Sequence, residues 1–181
     1  MVKDAVPLGE CGRALVIKLH QPRDVLLAGP VLSVLHARGV EVDALVYGDT
    51  APMLEGHPAL SQLHVVGRNW SAEGAWSRFS KERALFGELR ARRYGLIVHL
   101  CSELRGAWLA RTLGARYSVA PRMPDRGWFW ARSFTHLFPV AARRDMVELN
   151  LDALRRIGVY PDFAEREVRS VPGFEAGKMA Q

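Results

Sequence analysis

Ala14-Leu15-Val16-Ile17-Lys18-Leu19 is a nearly continuous apolar run of strand length, near the start of a 181-residue chain. Such a run, without polar alternation, is the pattern of a strand covered by helices on both faces, as parallel sheets require. It therefore reads as the first strand of a parallel sheet, and the rest of the chain is read outward from it. Asp24 stands where a helix N-cap would, before residues 25–39, which close on Arg38 and Gly39 as helices often do. Pro30 breaks the first turns of that helix or starts its regular part. Residues 42–47 form a second apolar run, and a short helix begins near Thr50-Ala51-Pro52.

The alternation continues to the C-terminal part of the chain. Residues 63–66 suit a short strand, residues 80–93 a helix capped by Ser80, and residues 95–100 another strand. Ser102 is placed to cap a helix that ends at Leu113 and is closed by Gly114, and residues 117–120 follow as a strand. In residues 146–157, Val147, Leu151, Leu154 and Ile157 share one helix face. Strands alternating with helices imply an α/β fold, a Rossmann-like doubly wound parallel sheet. The expected organisation is an N-terminal tail at 1–12, one domain at 13–160, and a linker or frayed tail at 161–181, where periodicity is lost and Pro172, Gly173 and Gly177 occur.

Composition fits an ordinary globular protein, 49% hydrophobic and 24% charged. No apolar stretch approaches the roughly 20 residues of a spanning helix, and the first residues carry charges without the apolar core of a secretion signal. The expected location is cytoplasmic. Cys11 and Cys101 alone support neither a disulfide framework nor a zinc site. Twenty-five Lys and Arg against nineteen Asp and Glu leave a net charge of +6, so an anionic partner is expected.

Ligands of such sheets bind at the C-terminal ends of the strands, which points to the loop Leu19-His20-Gln21-Pro22-Arg23-Asp24. This loop has no glycine, so it can be neither a dinucleotide fingerprint nor a Walker A loop, and no cofactor or metal is expected. Asp24 has two readings, a helix cap or a general base at the sheet mouth. His20 could orient a hydroxyl or contact a phosphate, and spacing assigns it no partner. Residues 122–132, RMPDRGWFWAR, set three arginines among Trp128, Phe129 and Trp130. Those rings could lie on lipid headgroups, stack on sugar or bind single-stranded nucleic acid, with at least one folding into the core. Arg105, at a helix start, suits an anionic ligand or pairs with a surface acid.

Four stretches carry a resemblance: VYGDTAPMLEGHP at 46–58, RGAWLAR at 105–111, LGARYSVAP at 113–121 and VELNLDAL at 147–154. In this order they resemble the ADP-heptose:lipopolysaccharide heptosyltransferases of glycosyltransferase family 9, most closely the heptosyltransferase III branch. The resemblance runs from about residue 13 to residue 160. It implies the N-terminal, acceptor-binding domain of a GT-B enzyme, without the C-terminal domain that in the family holds ADP-heptose. It implies transfer of heptose, with inversion, to the inner core of lipopolysaccharide, with possible contact at the inner face of the inner membrane and no nucleic acid. The rival reading is a non-catalytic basic module for nucleic acid or anionic lipid.

In the family the loop after the first strand ends in Gly-Asp, and its aspartate is regarded as the base. Asp24 occupies that place, which makes it the catalytic candidate, preceded here by Arg23 in place of glycine. The branch also carries histidines before that glycine, where this chain has Gln21 and Pro22, and a histidine before Val147-Glu148, where Asp145 stands nearby. Lys18, His20, Arg23, Arg105, Arg122 and Arg126 are the acceptor-binding candidates.

Overall fold

The structure, a computed structural model, describes residues 4–68, 75–162 and 164–166. Six parallel strands form one sheet: β1 (Arg13–Ile17), β2 (Glu41–Tyr47), β3 (Leu60–Val66), β4 (Leu96–His99), β5 (Tyr117–Pro121) and β6 (His136–Phe138). Their order is β3-β2-β1-β4-β5-β6, so the chain runs outward from β1 to β3 and then returns to the other side of β1. The point of reversal lies between β1 and β4, where Ile17 is paired with both Leu45 and His99. The connections are α2 (Pro22–Leu26), α3 (Gly29–Ala37), α4 (Ala75–Ala91), α5 (Leu104–Leu113) and α6 (Gly127–Ser133), with α1 (Leu8–Cys11) before β1 and α7 (Met146–Arg156) after β6.

Both faces of the sheet are apolar, because consecutive strand residues point to opposite sides and each side is covered. On one face Val16, Val42 and Val98 pack with Val31 and Leu35 of α3 and with Leu151 and Leu154 of α7. On the other, Leu15, Ile17, Leu45 and Ile97 pack with Leu89 of α4, Ala107 of α5 and Trp130 of α6. Each fully buried Leu, Ile or Val contributes about 1.5–3 kcal/mol. The doubly wound architecture expected from the alternation is therefore the observed one.

Several local expectations are corrected. The helix after β1 is two helices. Pro30 falls in the first positions of α3, where its missing N–H is harmless, and α2 closes before it with the Leu27 N–H donating to the Arg23 carbonyl. Ser80 is no cap, since α4 begins at Ala75 and places it in the helix interior. Ser102 is no cap either, because the N-cap of α5 is Glu103, without a side-chain bond. Gly114 does close α5, in the left-handed conformation that favours glycine. Asp145 caps α7 by accepting a 2.7 Å bond from the Val147 N–H. Residues 4–11, expected as a tail, are packed: the Val6 N–H donates to the Ile157 carbonyl at 2.9 Å and Asp4 pairs with Arg156. Residues 167–181 of the expected linker lie outside the described residues.

Where α5 crosses β4, the contact is so close that a methyl group at Gly106 would overlap the buried imidazole of His99. Gly106→Ala is expected to destabilise the fold by about 1–3 kcal/mol through overpacking. Gly87→Ala, in an open position on α4, is expected to stabilise it by about 0.5–1 kcal/mol. Thermal or urea unfolding of the two variants measures both signs.

Candidate functional site at the C-terminal edge of the sheet

Beyond its last ladder residue, β1 continues as Lys18, whose backbone N–H still donates to the Leu45 carbonyl. The Lys18 side chain is buried and its Nζ donates to the Leu100 carbonyl at 2.8 Å and to Asn150 Oδ1 at 3.1 Å, with Met146 Sδ at 3.7 Å. Burial lowers its pKa, against the favourable fields of Cys101 and Asp24. Asn150 in turn donates through Nδ2 to the Leu27 carbonyl at 3.0 Å. Lys18 thus forms the wall beneath the site and has its donors engaged by the protein.

The loop then turns outward. His20 is exposed, and its Nδ1 is paired with Asp24 Oδ2. Asp24 lies in the first turn of α2, where Gln21 is the N-cap and makes no side-chain cap bond, so the capping reading of Asp24 is corrected. Its carboxylate instead holds a histidine four residues earlier. The sequence signal for that partner is the i, i+4 spacing of His20 and Asp24 across a Pro-initiated turn. Arg23 points away into solvent and makes no ion pair among the described residues.

Arg68, just past β3, is a site residue that the sequence reading missed. Its guanidinium lies over the Tyr47 ring, 4.1 Å from the centroid, donates through Nε to Asp49 at 3.2 Å, and reaches the His20 carbonyl at 3.2 Å. Nothing in its sequence surroundings distinguishes it. Only the parallel pairing of β2 with β3 carries it to the rim. Tyr47 is half-buried, and burial pushes its phenol pKa up while the Glu103 charge adds to the effect and Arg68 and Arg105 oppose it. Arg105 pairs with Glu82 at 2.9 Å, which answers the question of its surface acid. Arg122 and Arg126 are exposed beyond β5, with no hydrogen bond or ion pair to the His20–Asp24 pair among the described residues. The edge therefore brings together His20, Asp24, Tyr47, Arg68 and Arg105 and keeps Arg122 and Arg126 to one side.

Under the loop, His99 closes β4 in full burial. Its ring stacks on Phe134 at 5.6 Å and meets Trp130 at 5.4 Å. Nε2–H donates to the Glu103 carbonyl at 3.1 Å, leaving Nδ1 to face the Cys101 thiol at 3.7 Å. Burial pushes the His99 pKa down to about 3 and the Cys101 thiol up to about 11. Both are neutral supports of the loop, and Cys101 Sγ accepts the Leu19 N–H at 3.4 Å.

The densest charge cluster lies on β2 and its neighbours, away from this edge. Asp43 is fully buried and accepts from Arg92 at 2.7 and 2.8 Å and from the Tyr94 hydroxyl at 2.7 Å. Burial opposes its ionisation, but bonds from His64, Arg92 and Tyr94 outweigh that and hold the carboxyl far below its ordinary range. With its bonds made inside the protein, this cluster fastens the end of α4 to the sheet.

No protein-family model matches the chain. It is 35% identical over 139 residues to lipopolysaccharide heptosyltransferase 3 of Escherichia coli, and 32% identical over the same length to that of strain K12. The chain matches these relatives over 75% of its own length and 40% of theirs. In fold it is similar to a glycosyl transferase family 9 protein from Veillonella parvula, with a TM-score of 0.72 and 19% identity over 87% of this chain and 44% of that one. E. coli heptosyltransferase WaaC with ADP-2-deoxy-2-fluoro heptose gives a TM-score of 0.66 and 20% identity over 84% of this chain and 52% of that one. The chain is thus related in sequence to the lipopolysaccharide heptosyltransferases it matches and spans less than half of their length. The six-stranded sheet accordingly has the fold of one domain of these GT-B proteins.

Because His99 is held neutral, its contribution to stability is complete above its ordinary unfolded pKa of about 6.5 and is lost as pH falls from there toward about 3. Unfolding free energy should therefore drop by up to about 1.4 kcal/mol per pH unit across that window. Thermal unfolding between pH 7 and pH 4.5, with the imidazole nitrogens of His99 followed by NMR, tests this; a protonated His99 in the folded chain at pH 5 contradicts it.

Proposed function

We propose that this chain is the acceptor-binding domain of a heptosyltransferase acting on the inner core of lipopolysaccharide. The carrying observation is the Asp24 carboxylate, held by His20 at the point of sheet reversal in a chain whose relatives are named heptosyltransferase 3. In the proposed reaction Asp24 accepts the proton of an acceptor hydroxyl as that oxygen bonds to C1 of the heptose. The bond from C1 to the diphosphate breaks, and ADP departs with the electron pair. His20 fixes the carboxylate in place, and Arg68 and Arg105 give the rim a positive field for a phosphorylated acceptor. The donor is ADP-heptose, bound by a domain facing this one, and no metal is assigned to the chemistry.

The acceptor is a membrane lipid, so the proposal places the protein in the cytoplasm, working against the inner face of the inner membrane. No helix among the described residues is long and apolar enough to cross a membrane, so contact would be peripheral. The cationic surface supports this reading, because a net charge of +6 draws the chain toward an anionic layer.

Asp24→Asn keeps the size of the side chain and a polar contact to His20, so folding and acceptor affinity should be nearly unchanged. Joined to a donor-binding domain, the variant should turn over roughly 10²- to 10⁴-fold more slowly. Equal turnover would remove the base assignment. If the parent is itself slow, Arg23→Gly, which restores the family's residue, should raise the rate. Binding of phosphorylated inner-core saccharide to this chain should weaken as salt rises, because exposed charges are screened over about 10 Å at 0.1 M ionic strength; titration calorimetry at two salt concentrations reads this directly.

A further inference from the structure

On the outer side of α5 and α6, three aromatic rings form a continuous ridge, the two indoles exposed and Phe129 between them half-buried. Trp108 meets Phe129 at 5.5 Å, and Trp128 meets the same ring edge-on at 6.3 Å. Trp108 is 60% and Trp128 69% exposed, unusual for the largest apolar side chain, and Leu104, one turn before Trp108 on α5, is 42% exposed. Trp130, two residues after Trp128, is turned into the core, where its Nε1–H donates to the Pro121 carbonyl at 2.8 Å. The helix thus divides its indoles between core and surface, and the outward ones remain unused by the fold.

Arginines accompany the ridge. Arg111 stands 5.7 Å from the Phe129 centroid and Arg132 5.9 Å from the Trp128 centroid. Both are exposed and neither has a carboxylate partner among the described residues. Arg122 and Arg126 extend the positive charge toward the strand ends, with Asp125 as the acid between them. Guanidinium groups without acids, beside indoles with an apolar body and a polar N–H, fit a boundary that is anionic outside and hydrocarbon inside. The exposed Leu104 favours lipid over stacked bases, because leucine offers a base no π-face but enters acyl chains readily.

We propose that the Trp108–Phe129–Trp128 ridge, with Arg111 and Arg132, is the surface by which the chain lies on an anionic lipid layer. The inference rests on the membrane-face reading above and gives it a location. The ridge flanks the sheet edge that carries Asp24, because α5 starts just after β4 and α6 shortly after β5. A chain seated on its indoles would hold that edge beside the headgroups, where a lipid-borne acceptor emerges.

The test is co-sedimentation of the chain with vesicles of mixed phosphatidylglycerol and phosphatidylcholine, and with vesicles of phosphatidylcholine alone. The expected result is salt-sensitive binding to the anionic vesicles only. Trp108→Ala with Trp128→Ala should reduce it at least roughly tenfold, and Arg111→Ala with Arg132→Ala roughly 30-fold, at about 1 kcal/mol per arginine. Tyr160→Ala, an exposed aromatic beyond α7, should bind like the parent. All these side chains are exposed, and unchanged thermal midpoints confirm intact folds. Absent vesicle binding, or equal binding by every variant, overturns the proposal. So does a dimer abolished by the tryptophan substitutions, which would make the ridge an interface between copies, or a preference for single-stranded DNA over vesicles. Titration of soluble phosphorylated core saccharide is run alongside: ridge variants that keep saccharide affinity but lose vesicles separate this surface from the acceptor reading, and loss of saccharide binding by the parent would fail that reading alone.

Discussion

The ammonium group of Lys18, buried at the end of β1, ties three parts of the molecule to one point. Its bonds to the Leu100 carbonyl and to Asn150 join the segments leaving β1 and β4 to α7, and Asn150 extends the tie to the turn between α2 and α3. A buried ammonium must have its donors satisfied, since an unpaired charge away from water is far more costly than the bonds that satisfy it. The requirement acts on geometry: the two strand ends cannot part, and α7 cannot slide, without stranding the charge. The position of Asp24, six residues along the same chain, follows from this anchor.

Neutral polar groups complete the support. Cys101 receives the Leu19 N–H, His99 faces Cys101, and the His99 ring is packed among Trp130, Phe134 and the bare backbone of Gly106. This series leads from the loop that carries Asp24 to the underside of α5 and α6. The helices that hold His99 in place on their inner side present the tryptophan and arginine ridge on their outer side. The scaffold of Asp24 and the proposed lipid contact are thus two sides of one layer, which fixes the angle between them.

The charged cluster around Asp43 shows how poorly charge density alone marks function. Its carboxyl is held far below its ordinary range, yet the donors that hold it, Arg92 and Tyr94, belong to the protein itself. The groups at the Asp24 edge are fewer and more exposed, and they retain capacity toward a ligand.

The sequence by itself determined the alternation of strands and helices through β5 and the parallel sheet, and it singled out the loop after β1 as the one to search. Those features are encoded locally: apolar runs of strand length, a glycine closing a helix and a glycine-free first loop are legible wherever the chain is read. The short β6 and α6, only three and seven residues long, left no period to read, and the serines expected as caps failed because helix starts are set by packing as much as by the capping residue. The tertiary structure alone decided that Lys18 is a buried strut, that Asp24 holds His20 instead of capping a helix, that Arg68 joins the rim, and which of the tryptophans face water. Each of these depends on which strands become neighbours, and neighbours far apart in the chain meet only once the sheet has closed around its core.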